Sequence, residues 1–251
     1  MILMNSLIFN PFSGAAGDMI LGCTMDLGAD RNYVKEIIES AVPVSVSIRD
    51  VVKRGIRALD VKINVPEHEH SRTYFELIDI IKDAKLPKDI ELSALDIFSK
   101  MAEAEAHVHG KDDLEKVHFH EVGQNDALAD VIGSSAAIYA LKCDSVYCMP
   151  INVGSGTVRC AHGNLPVPAP ATFEILKTGK LYFKGGTDEK ELLTPTGAAI
   201  LSHFTKPIEM FPSCVVCSIG YGAGDIELDG PNVLQGIIIE QNIPLHNHVH
   251  E

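Results

Sequence analysis

Nine of the eleven histidines stand two residues apart, as His68/His70, His107/His109, His118/His120 and the trio His246, His248 and His250. That spacing restricts the backbone able to use it. On an extended segment, residues two apart point to the same side, so two imidazoles about 7 Å apart at Cα can lean onto one ion. On a helix the same pair diverges. Each pair therefore chelates only where the chain is extended or irregular. The densest stretch is Val117-His118-Phe119-His120-Glu121-Val122-Gly123, followed closely by Asp126 and Asp130. Imidazole ligands suit zinc, copper, iron and nickel.

With 251 residues, 46% hydrophobic and 22% charged, the chain has the composition of a globular protein with a substantial core, and the length fits one large domain or two small ones. The formal net charge of −13 argues against a nucleic-acid partner, which requires a basic footprint, and suits a protein that attracts cations. There is no cationic leader with a cleavage site and no apolar run long enough to span a bilayer, so the expectation is a soluble cytoplasmic protein without a membrane partner. Six cysteines without a tight framework read as reduced thiols. The lone Cys214-Val-Val-Cys217 lies in a strand-like apolar run, and buried core is the expectation over a zinc or redox site.

Leu7 to Asn10 reads as a strand, and Pro11 to Asp18 as a loop opening a helix from about Met19 to Leu27 that Gly28 closes. A strand, a small-residue turn and a helix start make an anion site conceivable at Ser13, Gly14 and Gly17. No Gly-Lys-Ser/Thr follows, so it is not a Walker loop. Asp18 would repel a bare phosphate and welcome one bridged by a metal; as a helix cap it needs no function. A helix from Tyr33 to Ser40 precedes two alternating stretches, Val44 to Ile48 and Val61 to Val65, which predict a hairpin turning at Arg54-Gly55. Glu67-His68-Glu69-His70 then lies in extended or loop backbone, which favours chelation; a solvated charged loop is the plain alternative.

Helical spacing returns at Tyr74 to Ile81 and at Leu95 to Ala102. The second helix ends with Glu103 and Glu105 four residues before His107 and His109, so these histidines read as helix-end electrostatics. Asn125 to Leu141 forms another helix, with an apolar stripe of Leu128, Val131, Ile132 and Tyr139. Asp126 and Asp130 share the opposite face with the small Gly133 and Ala137, which either meets solvent or admits a close neighbour or ligand. Beyond a strand at Ser145 to Met149, the polar loop Pro150 to Thr157 carries Asn152 and Ser155, and His162 reads as a core histidine with a hydrogen-bond partner. A helix runs from Pro170 to about Gly179, Thr194-Pro195 caps another through Phe204, and Cys214 to Ser218 and Val233 to Ile239 read as sheet. Gly220 to Asp225 is expected to be a glycine turn between them.

Several of these motifs together resemble the LarC family of nickel-insertion proteins: Phe12-Ser-Gly-Ala-Ala-Gly-Asp-Met19, Val117-His-Phe-His-Glu-Val-Gly123 with Asp126 and Asp130, Pro150-Ile-Asn-Val-Gly-Ser-Gly-Thr-Val158 with Cys160-Ala-His-Gly163, Leu165-Pro-Val-Pro-Ala-Pro-Ala171, and Glu191-Leu-Leu-Thr-Pro-Thr-Gly-Ala198. The resemblance runs from about Ile8 to Ile239. It implies a nickel chelatase, in the lyase class, that places nickel into pyridinium-3,5-bisthiocarboxylic acid mononucleotide through two Ni–S bonds and one Ni–C bond while consuming CTP. The product is the nickel-pincer cofactor of lactate racemase-type enzymes. Longer family members carry a further C-terminal domain to which CTP binding is attributed, so CTP, with Mg2+ or Mn2+, is expected through a separate C-terminal part.

The expected architecture is a mixed α/β domain over residues 1–242, a sheet with flanking helices and a helical segment at about 73–141. Residues 243–251 form a histidine-bearing tail expected to be disordered, and a homo-oligomer is expected. The candidate nickel ligands are His68, His70, His118, His120 and Glu121, with Asp18, Asp126 and Asp130. Glu121 or His120 is the candidate base for the ring proton. Ser13, Gly14, Gly17, Asn152, Ser155 and His162 are candidates for the nucleotide. A nickel or zinc carrier without catalysis is the alternative from another class, and a metal-dependent phosphohydrolase a third.

Overall fold

A computed structural model describes residues 2–66, 72–110, 114, 117–119, 124–160 and 163–243. In chain order the elements are β1 (Ile2–Asn10), α1 (Gly17–Asp26), α2 (Arg31–Ala41), β2 (Ser45–Lys53), β3 (Ile56–Asn64), β4 (Arg72–Thr73), α3 (Tyr74–Asp83), α4 (Lys88–Val108), β5 (His118–Phe119) and α5 (Asn125–Ala140). There follow β6 (Ser145–Cys148), β7 (Ile151–Asn152), β8 (Thr157–Cys160), β9 (Gly163–Pro166), α6 (Pro170–Gly179), β10 (Phe183–Lys184), α7 (Pro195–Phe204), β11 (Lys206–Pro207), β12 (Val215–Ala223) and β13 (Val233–Ile243). The mixed α/β architecture with flanking helices is as the sequence predicts.

Seven strands form the main sheet in the order β11-β6-β1-β13-β12-β3-β2. Strands β1, β6 and β11 run parallel, and β13 lies antiparallel between β1 and β12. Alternation decides which face each strand residue serves. Leu7 and Phe9 join the main core with the helices, whereas Ile8, between them, packs with Ile237 and Ile239 in a separate small cluster. Helix α1 lies directly on the sheet over β12, β3 and β13, and α5 packs in turn on α1, α2 and α4. A two-residue ladder pairs Arg72 with Phe119 and Thr73 with His118.

The glycine turn expected at Gly220 to Asp225 is instead mostly strand, since β12 continues to Ala223. Its glycines serve packing. A Cβ on Gly222 would collide with the Met19 carbonyl oxygen, so the residue lets α1 settle against the sheet backbone. The expectation of a buried Cys214/Cys217 pair also fails: Cys217 is exposed and Cys214 half-buried, because this end of β12 projects toward solvent. Tyr139 is exposed rather than part of the buried stripe, its hydroxyl reaching Ser93 on α4 at 2.9 Å. Gly133 admits a close neighbour as expected, the Ile38 side chain of α2. The hairpin of β8 and β9 has no counterpart in the sequence reading, its strands being short and punctuated by glycine and proline. The tail from 244 onward lies outside the described residues.

Candidate functional site

The parallel strands β1 and β6 end side by side, Phe9 paired with Cys148, and the loops beyond them converge. Open α/β sheets gather ligands at such carboxyl ends. Three loops meet here through main-chain bonds: Ala15 N–H donates to Leu192 O at 2.9 Å, Thr194 N–H to Ala15 O at 3.1 Å and Asn152 N–H to Pro11 O at 3.0 Å. The polar side chains the sequence marks for the nucleotide hold these loops in place. Ser13 Oγ donates to Pro231 O at 2.9 Å, Asn152 Nδ2 to Phe12 O at 2.9 Å and Ser155 Oγ to Asp188 O at 2.9 Å. Gly14, at φ 89°, lies against the Leu192 backbone where no Cβ fits. His162 lies outside the described residues.

Helices α1 and α7 both begin at this junction. Thr194 caps α7 by accepting Gly197 N–H at 3.1 Å, with Pro195 at the first helical position. Helix α1 has no such side chain of its own, since its cap residue is Ala16. A carboxylate of another helix comes up against this start: Asp130 of α5 packs against Gly17, and its Oδ1 is shut from solvent without a hydrogen-bond partner among the described residues. The sequence option of a solvated face for both aspartates therefore holds only for Asp126, which is exposed.

Asp18 lines a cleft of about 210 Å³ with Ala16, Glu191, Thr194, Asp225 and Asn232. Its Oδ1 accepts Met19 N–H at 2.8 Å. Burial, with the negative Asp225 next in weight, raises its pKa to about 6, against the pull of Lys62 and the Met19 N–H. Burial also pushes Asp130 well above the usual carboxylate range, reinforced by Asp18 and Asp126. Lys62 on β3 sits between Asp60, at 3.2 Å, and Asp225. The cleft thus joins two helix N-termini, which favour anions, to carboxylates, which repel them; a phosphate carrying a divalent cation satisfies both. Lys62, Asp225, Glu191 and Asn232 were not singled out as site residues from sequence. The one available signal was Asp225 closing a glycine-rich stretch.

Of the candidate metal ligands, Asp18 and Asp130 come together and Asp126 stands one turn before Asp130. His68, His70, His120 and Glu121 lie outside the described residues, and His118 is described only as a member of β5. Among the described residues no three histidine, cysteine or carboxylate side chains converge as a metal site. The β4–β5 pairing is antiparallel, so the chain enters β4 and leaves β5 at the same end of that ladder. At the end of α4, His109 pairs with Glu105 at 3.4 Å as expected, whereas His107 meets Glu174 of α6 at 3.5 Å rather than Glu103.

A second polar constellation lies away from the cleft. His203 Nδ1 meets Asp96 Oδ2 at 2.6 Å, and its Nε2 meets Ser93 Oγ at 3.0 Å. The order resembles a nucleophilic triad, but Ser93 is only 2% exposed and sits within α4, where successive amides are engaged in the helix. It fastens α4 to α7. No helix among the described residues is long and apolar enough to cross a membrane.

A sequence model of a family described as "Nickel insertion protein" matches residues 7–250. Proteins from Methanosarcina mazei and Methanosarcina barkeri whose names include those words are each 73% identical over 237 residues, covering 94% of this chain and 60% of theirs. A Desulfitobacterium hafniense protein named pyridinium-3,5-bisthiocarboxylic acid mononucleotide nickel insertion protein is 38% identical over 234 residues, 92% of this chain and 58% of its own. The chain therefore spans about 60% of the length of the first of these curated relatives. No solved structure matches it. The chain belongs to the nickel insertion protein family.

Proposed function

We propose that this chain is the nickel-handling part of a chelatase that inserts nickel into pyridinium-3,5-bisthiocarboxylic acid mononucleotide. Nickel is a substrate here. The thiocarboxylates at ring positions 3 and 5 flank carbon 4, so an ion bridging both sulfurs lies on that carbon and replaces its proton. Imidazoles of intermediate softness can hold nickel and release it to two sulfurs. His68, His70, His118, His120 and Glu121 are the proposed holders, and Glu121 or His120 the proposed proton acceptor. The nucleotide phosphate enters the acidic cleft beside Asp18 with a divalent cation, against the loops at Ser13 to Gly17 and Asn152 to Ser155. Asp126 and Asp130 stand behind it.

The observation that supports this reading is the joining of β4 to β5, which pairs Thr73 with His118 and sets Arg72, two residues after His70, opposite Phe119, the residue before His120. CTP dependence, with Mg2+ or Mn2+, and delivery to lactate racemase-type enzymes complete the proposal, CTP acting through a separate C-terminal part. The test incubates the chain with nickel and the mononucleotide, with and without CTP, alone and together with the remaining segment of a longer relative. Mass spectrometry then looks for the nickel adduct. Formation of the adduct supports the chelatase. The second reading, a nickel carrier, rests on the paired histidines alone; tight nickel binding that leaves the mononucleotide unchanged in every combination would establish it.

A further inference from the structure

The cleft at the start of α1 is lined by three carboxylates, Asp18, Glu191 and Asp225, and by no lysine or arginine among the described lining residues. A phosphate needs positive charge to enter such a place. The cation that reaches it is Lys62. Strand β12 is antiparallel to β13, which is antiparallel to β1, and β3 is parallel to β12, so β1, β12 and β3 all run one way. Gly222 pairs with Leu59, and three residues further along each chain Lys62 meets Asp225. This is the carboxyl end of the strands, where the loops of the cleft converge.

Lys62 is held from two sides that differ in kind. Asp60, only 7% exposed, lies 3.2 Å from its Nζ, and the other Asp60 oxygen takes Arg49 at 3.0 Å, so the Asp60 charge stays matched if Lys62 turns away. The Asp225 side chain is 69% exposed, and an exposed ion pair is weak enough to exchange. Lysine is a compact point charge on a flexible stem, suited to such a move. Burial raises the Asp18 and Asp130 carboxyls, and Lys62 pulls both back toward the ionised form, so its charge is felt inside the cleft. A divalent cation carried by phosphate oxygens needs only one or two protein carboxylates. Asp18 and Asp225 supply two, which agrees with the absence of a three-ligand cage among the described residues.

We propose, building on the reading of the cleft as a phosphate site, that Lys62 couples the binding of cation and phosphate there. The divalent cation takes Asp225 together with Asp18, and the ammonium that Asp225 releases turns on its Asp60 anchor to donate to the phosphate. Each ligand alone is opposed: a cation arriving by itself meets Lys62, and a phosphate arriving by itself meets three carboxylates. Together they remove both obstacles.

The experiment follows Mn2+ binding to the whole chain by electron paramagnetic resonance, with and without nicotinic acid mononucleotide, a pyridinium ribose phosphate that carries no sulfur. In the wild type the mononucleotide is expected to strengthen Mn2+ binding about tenfold, within the ordinary range of coupling between two ligands. Lys62→Met is expected to bind Mn2+ alone more tightly than the wild type and to lose the enhancement, and Lys62→Arg to keep it. Should Lys62→Met fail to fold, Asp225→Asn decides: it is expected to weaken Mn2+ binding and to bind the mononucleotide without metal better than the wild type does. Enhancement that persists in Lys62→Met, or wild-type Mn2+ affinity in Asp225→Asn, overturns the proposal and leaves the phosphate reading of the cleft standing. A wild type in which the mononucleotide does not strengthen Mn2+ binding overturns both.

Discussion

Asp130, on the second turn of α5, packs its carboxylate against Gly17 at the start of α1 and leaves its Oδ1 buried without a partner among the described residues. A carboxylate in this position is held against its own ionisation. Its pKa is raised above the ordinary 3.8, so the folded protein binds that proton more tightly than the unfolded chain. The associated stability is complete below the unfolded value and is lost as pH rises through the folded one. Asp130→Asn keeps the shape of the side chain against Gly17 and removes the charge. It is expected to stabilise the protein near neutral pH by on the order of 1–3 kcal/mol, with the gain vanishing below about pH 4. Urea titrations across pH check this; an equal effect at both ends would contradict it.

Asp18 faces the cleft with a pKa of about 6, so a divalent cation arriving there displaces its proton. Binding of Mn2+ with a nucleotide, followed by electron paramagnetic resonance, is expected to strengthen as pH rises through about 6. Asp18→Asn should remove that step in the profile.

Gly222 fixes how closely α1 lies on the sheet, since a Cβ there has the Met19 carbonyl oxygen and the Cys23 amide in its way. Gly222→Ala is expected to cost roughly 3 kcal/mol, the upper range for overpacking, because backbone rather than a movable side chain must give. Thermal unfolding measures it. A loss under about 0.5 kcal/mol, the size of an ordinary surface substitution, would show that the helix can shift.

The helices were legible because their signals are local. Pro170, the Thr194-Pro195 cap and the apolar spacing of α3 mark boundaries close to those observed, whereas α4 begins at Lys88, well before the spacing read from Leu95. The course of β12 was not, because glycine signals both turns and close packing, and only the position of α1 decides between them. The site was half legible. Asp18 and Asp130 could be named from sequence, but their meeting depends on α5 crossing the start of α1, which no spacing encodes. Lys62 and Asp225 are 163 residues apart and are joined only by the placement of β3 beside β12. Ser13, Asn152 and Ser155 were recognised as polar loop residues, yet the fold uses their side chains to bind loop to loop.

The central claim is that the histidine-bearing segments joined by β4 and β5 form a folded nickel site, and equilibrium dialysis against nickel tests it most directly. Three proteins are compared: wild type, a version truncated after Asn242, and His118→Ala combined with His120→Ala. The account predicts that the truncated protein keeps stoichiometric nickel and that the double substitution loses it. Binding that disappears with the tail and survives the double substitution would contradict it.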